Sequence, residues 1–230
     1  MNRICVITAA WKRPAVLEAA LDNWRAVGVR EICMAVSPGD TKAALLAQFY
    51  DCHTVSMPNE DLAAKFNAAC RLARNTDCDY FLHMGSDDLI GEALMTEYLR
   101  FKGHYLGTKD WYFHSLDRDI TMYWSGYKGK REGEPIGAGG LVSRTAMNTI
   151  DFAPFTGAGN NELDSVQHRA LTRHVRSEVI SLKELSAVGV DLKDHDSMTQ
   201  FDRVAKLMEE CPHLEHLDPF IWESAKRAKP

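Results

Sequence analysis

The sequence predicts an α/β fold: a mainly parallel sheet flanked by helices, followed by a smaller subregion. Two observations carry this. Over residues 4–90, short apolar, β-branched runs alternate with segments of helical spacing, joined by a few residues each; a parallel sheet covered on both faces reads this way. Beyond Gly91 the alternation breaks, and aromatic strand-like runs and a glycine-rich stretch replace it. No internal repeat, low-complexity tract or linker divides the 230 residues, so the chain reads as one domain, residues 197–230 forming a C-terminal helical segment.

Residues 4–8 are the first strand, closed by Ala9-Ala10-Trp11-Lys12-Arg13-Pro14. Pro14 suits the first turn of a helix whose apolar positions Val16, Leu17, Ala20, Leu21 and Trp24 recur at helical spacing, and Gly28 stops it. Glu31–Val36 is a second strand, Ser37-Pro38-Gly39-Asp40 a turn, Thr41–Phe49 a helix and His53–Ser56 a short third strand. Pro58-Asn59-Glu60-Asp61 opens a helix with early acids, as the helix dipole prefers. Its expected buried stripe is Leu62, Phe66, Ala69 and Ala73, with Lys65 and Asn67 off it. Residues 80–84 are the fourth strand, and Gly85-Ser86-Asp87-Asp88 follows.

After Gly91, Glu92–Arg100 reads as a helix, and residues 111–114 and 120–124 as aromatic strands. Residues 125–135, rich in Gly, Lys and Glu, read as a mobile loop. Residues 136–144 are a glycine turn feeding a strand, 151–161 an irregular stretch and 163–173 a helix with Asp164 at its start. Residues 179–182 read as a late strand and 197–210 as a late helix.

Composition narrows the classes. A net charge of −5 and a pI near 6.0 argue against strong non-specific nucleic-acid binding, while leaving room for a local basic patch. No run approaches a transmembrane span, and Met1-Asn2-Arg3-Ile4-Cys5-Val6-Ile7 runs straight into a strand instead of a cleavable signal. The expectation is a cytoplasmic protein. Six cysteines occur singly with no Cys-x-x-Cys pair, which suits reduced, buried thiols. Cys211-Pro212-His213-Leu214-Glu215-His216 offers zinc at most three ligands, and a surface segment is the favoured reading.

Asp87 and Asp88 are the chemical focus. In open α/β sheets ligands bind outside the carboxyl ends of strands. Adjacent carboxylates there repel unless a positive charge joins them, and Mg²⁺ or Mn²⁺ suits oxygen ligands. The alternative is that the pair caps a helix beginning near Leu89. Two nucleotide-binding patterns are absent: the turn after the first strand has no Gly-x-Gly-x-x-Gly, and no Gly-Lys-Ser/Thr occurs. A nucleotidyltransferase usually wraps a triphosphate in a Gly-rich loop at that first turn, which is also missing.

Thr8-Ala9-Ala10-Trp11-Lys12-Arg13-Pro14, the segment Asn59 to Asn67, Gly85-Ser86-Asp87-Asp88 after the fourth strand and Gly137 to Arg144 occur in the order found in GT-A glycosyltransferases. Over roughly residues 1–170 the chain resembles that fold family, its family-two-like branch in particular. Gly85 replaces the first acid of the family's Asp-x-Asp motif, and the acid pair near the base helix is Glu162-Leu163-Asp164.

The resemblance implies a GT-A, Rossmann-like sheet in which residues 1–100 bind a nucleotide-diphosphate sugar and residues 101–196 form the acceptor and catalytic half. It implies a metal-dependent, inverting transfer from a UDP-sugar to an acceptor hydroxyl. Asp87, Asp88 and His195 would hold Mn²⁺ or Mg²⁺. Thr8, Ala9, Trp11, Arg13, Asp40, Asn59, Lys65, Asn67, Ser86 and Lys193 would contact the donor, and Gly139 and Gly140 would let the sugar approach the backbone. Asp164, with Glu162 second, would take the acceptor proton. Core or capping roles are the alternatives for Trp11, Asp40 and Asp164, and helix-surface roles for Asn59, Lys65 and Asn67. Trp111, Tyr112, Trp124 and Tyr127 are either a stacking platform or core. The acceptor is a saccharide, or a hydroxymethylated DNA base as in small phage-type enzymes, for which Lys128-Gly129-Lys130-Arg131 and the arginines of residues 169–176 are the hooks. A non-catalytic nucleotide- or sugar-binding module of the same fold and a nucleotidyltransferase are the rival readings.

Overall fold

The computed structural model of the chain describes residues 1–160, 162–197 and 201–229. Its first half follows the expected alternation: β1 (Ile4–Ala10), α1 (Pro14–Ala26), β2 (Glu31–Val36), α2 (Thr41–Phe49), β3 (His53–Ser56), α3 (Leu62–Ala73), β4 (Tyr80–His83), β5 (Asp88–Ile90) and α4 (Glu92–Arg100). Then come β6 (Tyr105–Thr108), β7 (Trp111–Ser115), β8 (Ile120–Trp124), β9 (Gly140–Ser143), α5 (Arg144–Thr149), α6 (Leu163–Thr172), β10 (Ser177–Ile180) and α7 (Leu182–Leu185). The chain continues with β11 (Gly189–Lys193), α8 (Phe201–Ala205), β12 (Glu209–Glu210), α9 (Leu214–Leu217) and α10 (Pro219–Arg227).

A seven-stranded sheet runs β10-β6-β9-β4-β1-β2-β3. Only β9 opposes its neighbours; β4, β1, β2 and β3 are parallel, and so are β10 and β6. Successive side chains of a strand point to opposite faces, so β1 feeds two cores. Val6 packs with Leu82, Leu17 and Trp24, whereas Cys5 and Ile7 pack with Phe81 and the buried face of α3. Helices thus cover both faces, and the carboxyl ends of β1 and β4 are left open to a ligand.

A second, five-stranded sheet runs β12-β8-β7-β11-β5. Here the structure departs from the sequence expectations. Residues 88–90 do not begin a helix; they form β5, antiparallel to β11, so Asp87 and Asp88 cap nothing. α1 fixes this strand: Asn23 Nδ2 donates to Ile90 O at 3.1 Å, Asn23 Oδ1 accepts from Ile90 N at 2.9 Å, and Trp24 Nε1 donates to Asp88 O at 3.0 Å. The late helix expected over 197–210 is reduced to α8, because Glu209 and Glu210 pair with Tyr123 and Met122 of β8; residues 198–200 lie outside the described residues. The late strand ends at Ile180, and Ser181 instead caps α7. The buried stripe of α3 includes Lys65 and Asn67, while Leu62 and Phe66 are half-buried.

All six cysteines are free. Among the described residues, no helix is long and apolar enough to cross a membrane.

Candidate functional site

A cavity of about 690 Å³ opens at the carboxyl ends of β1 and β4. Ala9, Trp11 and Arg13 line it from the loop after β1, and residues 83–88 line it from β4 and its loop. Asp191 and Lys193 of β11, Tyr127, Gly137 and Ala138, and Leu163 and Asp164 of α6 complete much of the wall. Trp11 is 39 % exposed, and Lys12 Nζ lies 5.4 Å from its ring centroid.

The floor is an acid cluster that the backbone enforces. A Cβ on Gly85 would meet Asp87 Oδ1 at 2.6 Å and Asp88 Oδ2 at 2.9 Å, so only glycine lets both carboxylates fold back over this position. Gly85 N donates to Asp88 Oδ2 at 2.5 Å. The register of β5 with β11 places Asp191 opposite Asp88, and Leu192 N donates to Asp87 O at 2.9 Å. Asp87, Asp88 and Asp191 each present a carboxylate oxygen within 4.8 Å of the others.

Two cations neighbour these acids. Arg13 Nη1 donates to Asp87 Oδ2 at 2.7 Å, and Lys193 Nζ lies 2.6 Å from Asp191 Oδ2 and 3.9 Å from Asp87 Oδ2. Their effects separate the three acids. Burial drives Asp87 upward, but Lys193 and Arg13 together outweigh it and hold its carboxyl below the usual range. Burial, with Asp191 and Asp87 as like-charged neighbours, pushes Asp88 well above that range. Burial and then Asp87 push Asp191 up to about 7.

Three hard oxygen donors converge, and Asp191 Oδ1 is buried with no hydrogen-bond partner among the described residues. The donor set therefore fits a divalent cation of the Mg²⁺ or Mn²⁺ kind. His195 is not part of it: its ring lies 4.0 Å from Asp117 and 3.6 Å from Asp196, with the side chain 74 % exposed. Asp191 stands where His195 was expected. Its signal was the alternation of Asp191 and Lys193 in one strand, which puts both side chains on the same face.

The other expected residues divide into those that line the cavity and those that build its frame. Ala9, Trp11, Arg13, Asn59, Ser86, Asp87, Asp88, Asp164 and Lys193 line it. Thr8, Asp40, Lys65, Asn67, Gly139, Gly140, Glu162 and His195 are not in its wall. Thr8 is fully buried within β1. Asp40 takes its capping alternative: Oδ1 accepts from Ala43 N at 3.1 Å, and Oδ2 holds the Lys12 amide at 2.6 Å. That bond anchors a loop in which Lys12 and Arg13 both have positive φ, 57° and 51°.

Lys65 is fully buried and donates to Ala10 O, Ser37 Oγ and Asn59 Oδ1 at 2.8, 2.8 and 2.9 Å. Burial lowers its pKa to about 8. Asn67 Oδ1 accepts from Phe155 N at 3.0 Å, which holds Phe155 at the cavity wall. Gly139, at φ 72°, has Tyr98 and Trp111 where a Cβ would sit, so packing there requires glycine. Gly137 and Ala138 face the cavity instead. Trp111 and Tyr112 are core.

Asp164 is not an open carboxylate. Oδ2 accepts from the Tyr127 hydroxyl and from Arg131 Nη2 at 3.0 Å, and Oδ1 accepts from Ser165 N at 2.8 Å. Arg131 also stacks on Tyr127, 3.6 Å from the ring centroid, and pairs with Glu134 at 2.7 Å. The 125–135 segment is therefore docked on the catalytic candidate. Glu162 is exposed at the start of α6.

His83 is another wall residue without an assigned role in the sequence. His83, 1 % exposed, closes β4 and lies between Gln167 Nε2, 2.8 Å from Nδ1, and Cys70 Sγ, 3.4 Å from Nε2. Burial lowers this imidazole to about 4.

The fold recurs in solved structures of low sequence identity. The S. aureus TarS 1-349 structure in complex with UDP matches 83% of this chain and 60% of its own at TM-score 0.54 and 11% identity. The T. maritima inositol-1-phosphate CTP transferase matches 99% of this chain and 96% of its own at 0.52 and 10%. Rv0371C from Mycobacterium tuberculosis H37Rv, in complex with manganese, matches 90% and 98% at 0.52 and 13%. In another TarS 1-349 structure the match spans only 58% of that chain. No protein-family model matches, and no curated protein matches.

Proposed function

We propose that the chain is a glycosyltransferase that moves a sugar from a nucleoside-diphosphate sugar to an acceptor hydroxyl. The observation that carries the reading is one cavity holding both Asp87, Asp88 and Asp191 with their two cations and, apart from that cluster, the carboxylate of Asp164. A nucleotidyltransferase must cradle a triphosphate. Here the loop after β1 is Trp11-Lys12-Arg13, and the first glycine of the chain is Gly28, which argues for a diphosphate donor.

Asp87, Asp88 and Asp191 would hold a divalent cation, whose bound charge would stabilise a departing diphosphate oxygen. Arg13 and Lys193 add fixed positive charge beside the same oxygens, and their acid partners hold them in place at no reorganisation cost. Trp11 offers a ring at the mouth for the base. Asp164 accepts the proton of the attacking hydroxyl, which gives inversion at the sugar carbon and requires Arg131 and Tyr127 to yield Oδ2. UDP is the first nucleotide to try, since a structure of this fold holds it.

The acceptor is a saccharide hydroxyl or a hydroxymethylated DNA base. Lys128 and Lys130 are exposed within the segment docked on Asp164, where a phosphate backbone would meet them. Steep loss of transfer with rising salt would select DNA, and indifference to salt a neutral acceptor.

The deciding experiment measures melting temperature and product release for UDP-, GDP- and CDP-sugars, with and without Mn²⁺. A nucleotide sugar should raise the melting temperature in a Mn²⁺-dependent way and be slowly hydrolysed. Pyrophosphate release from CTP or UTP with a sugar phosphate would replace the reading with nucleotidyl transfer. Tight binding without any turnover would make the chain a binding module.

A further inference from the structure

A second cluster lies on the other side of β7. Phe113 faces Lys193, whose Nζ is 5.7 Å from its ring centroid, and the next side chain, His114, points the opposite way. His114 is fully buried, and its Nδ1 is engaged by Thr121 Oγ1 at 3.0 Å. Its Nε2 has no hydrogen-bond partner among the described residues and lies 3.6 Å from Asp119 Oδ1. Asp119 sits in the β7–β8 turn at φ 58°. His213, immediately before α9, brings Nε2 to 3.2 Å from the same Asp119 oxygen.

We propose that His114, Asp119 and His213 form a zinc site that fastens α9 and α10 to the β7–β8 hairpin. Two of the three ligand separations match a coordination shell. Ligand atoms about 2.05 Å from a tetrahedral ion lie about 3.3 Å from one another, and the two separations from Asp119 Oδ1 are 3.2 and 3.6 Å. All three ligand atoms fall within 4.8 Å of one another. Two imidazoles and one carboxylate suit zinc, whereas the three carboxylates of the cleft suit a harder ion, so the two sites divide by chemistry. Burial lowers His114 to about 4, so the ring is neutral and available as a ligand near neutral pH. Asp119 is half exposed, which leaves a fourth position for water.

Two contacts must change when the ion binds. Lys229 Nζ donates to Asp119 Oδ1 at 2.8 Å and would swing off it, its side chain being one-third exposed. His213 Nδ1 accepts from Glu215 N at 3.3 Å; coordination through Nε2 puts the ring proton on Nδ1, and that exposed amide passes to water. In exchange, the orphaned His114 nitrogen gains a partner.

The test strips the full chain with a chelator, returns it to Mg²⁺ buffer and titrates Co²⁺, followed by Zn²⁺. One equivalent of Co²⁺ should give intense visible bands of tetrahedral type, one equivalent of Zn²⁺ should abolish them, and Zn²⁺ should raise the melting temperature. Asp119→Asn and His213→Gln should each weaken binding by about tenfold or more, Lys229→Ala should tighten it, and Asp88→Asn should leave the bands in place. Absence of both the bands and the Zn²⁺-dependent melting shift in the wild-type chain would overturn the site, whatever the variants do. So would bands lost in Asp88→Asn, or bands kept in both Asp119→Asn and His213→Gln.

Discussion

Arg13 Nη1 donates to Asp87 Oδ2 at 2.7 Å, and this pair joins the loop after β1 to the acids after β4. The same guanidinium donates through Nε to Asp194 at 3.1 Å and through Nη2 to Leu192 O at 2.7 Å. One side chain thus ties together three segments far apart in sequence, and both carboxylates it meets are largely buried. Arg13→Lys keeps the charge but cannot span three acceptors with a planar fork. We expect this variant to melt lower by a margin equivalent to about 2–4 kcal/mol and to bind UDP more weakly. Thermal unfolding with and without UDP checks both effects, and wild-type values for both would show that the fork is dispensable.

The acid cluster predicts which substitutions abolish metal dependence. Asp88→Ala and Asp191→Asn should each remove the Mn²⁺-dependent part of the UDP melting shift, and His195→Ala should leave it intact, since His195 stands apart from the cluster. A shift lost in His195→Ala but kept in Asp191→Asn would reverse the assignment.

Asp164→Asn preserves shape and removes the proton acceptor. Donor binding should stay near wild type while transfer falls by a factor of about 10² or more. Near-normal turnover would remove Asp164 from the chemistry. Tyr127→Phe, which deletes one donor to Asp164, should change turnover without changing donor affinity.

Two buried imidazoles predict an acid-labile fold. His83 and His114 are each lowered by burial from 6.5 to about 4. A depressed folded pKa means that the unfolded chain binds the proton first, so this stability is complete above about pH 6.5 and is lost as pH falls toward about 4. Each group accounts for up to about 3 kcal/mol. Urea unfolding at pH 7 and pH 4.5 measures the loss, and His83→Gln should flatten the curve. A stability unchanged across that window would mean that neither ring is held neutral by burial.

Gly139→Ala separates packing from sugar binding. A Cβ there would lie 2.6 Å from the Tyr98 hydroxyl and 3.0 Å from Trp111, at φ 72°. Destabilisation of about 1–3 kcal/mol is expected, with donor affinity unchanged in the fraction that remains folded. Weaker donor binding at full stability would return Gly139 to the sugar site.

Much of the fold was readable because it is written locally. Strand, helix and turn boundaries over residues 1–84 depend on periodicity and on Pro14, Gly28, Asp40 and Asp61, which act within a few residues of themselves. Asp87 and Asp88 stood out for the same reason: two acids closing an apolar run are visible without a fold. Lys65 and Asn67 lie off the stripe that the apolar positions of α3 trace, yet both are buried, each satisfied by backbone or side-chain groups of distant segments. Polarity predicts exposure only when no partner waits inside.

By itself, then, the sequence determined the parallel sheet, the acid-bearing end of β4 and the absence of a glycine cradle after β1. Only the tertiary structure decided that Asp191, not His195, joins the acids, since that follows from the antiparallel register of β5 with β11 across a sequence separation of 103, 191 minus 88. It also decided that Asp164 is covered by Tyr127 and Arg131, and that His114 meets His213. Spacing along a chain fixes what one element can present. Which elements face each other is set by packing, and no local pattern encodes it.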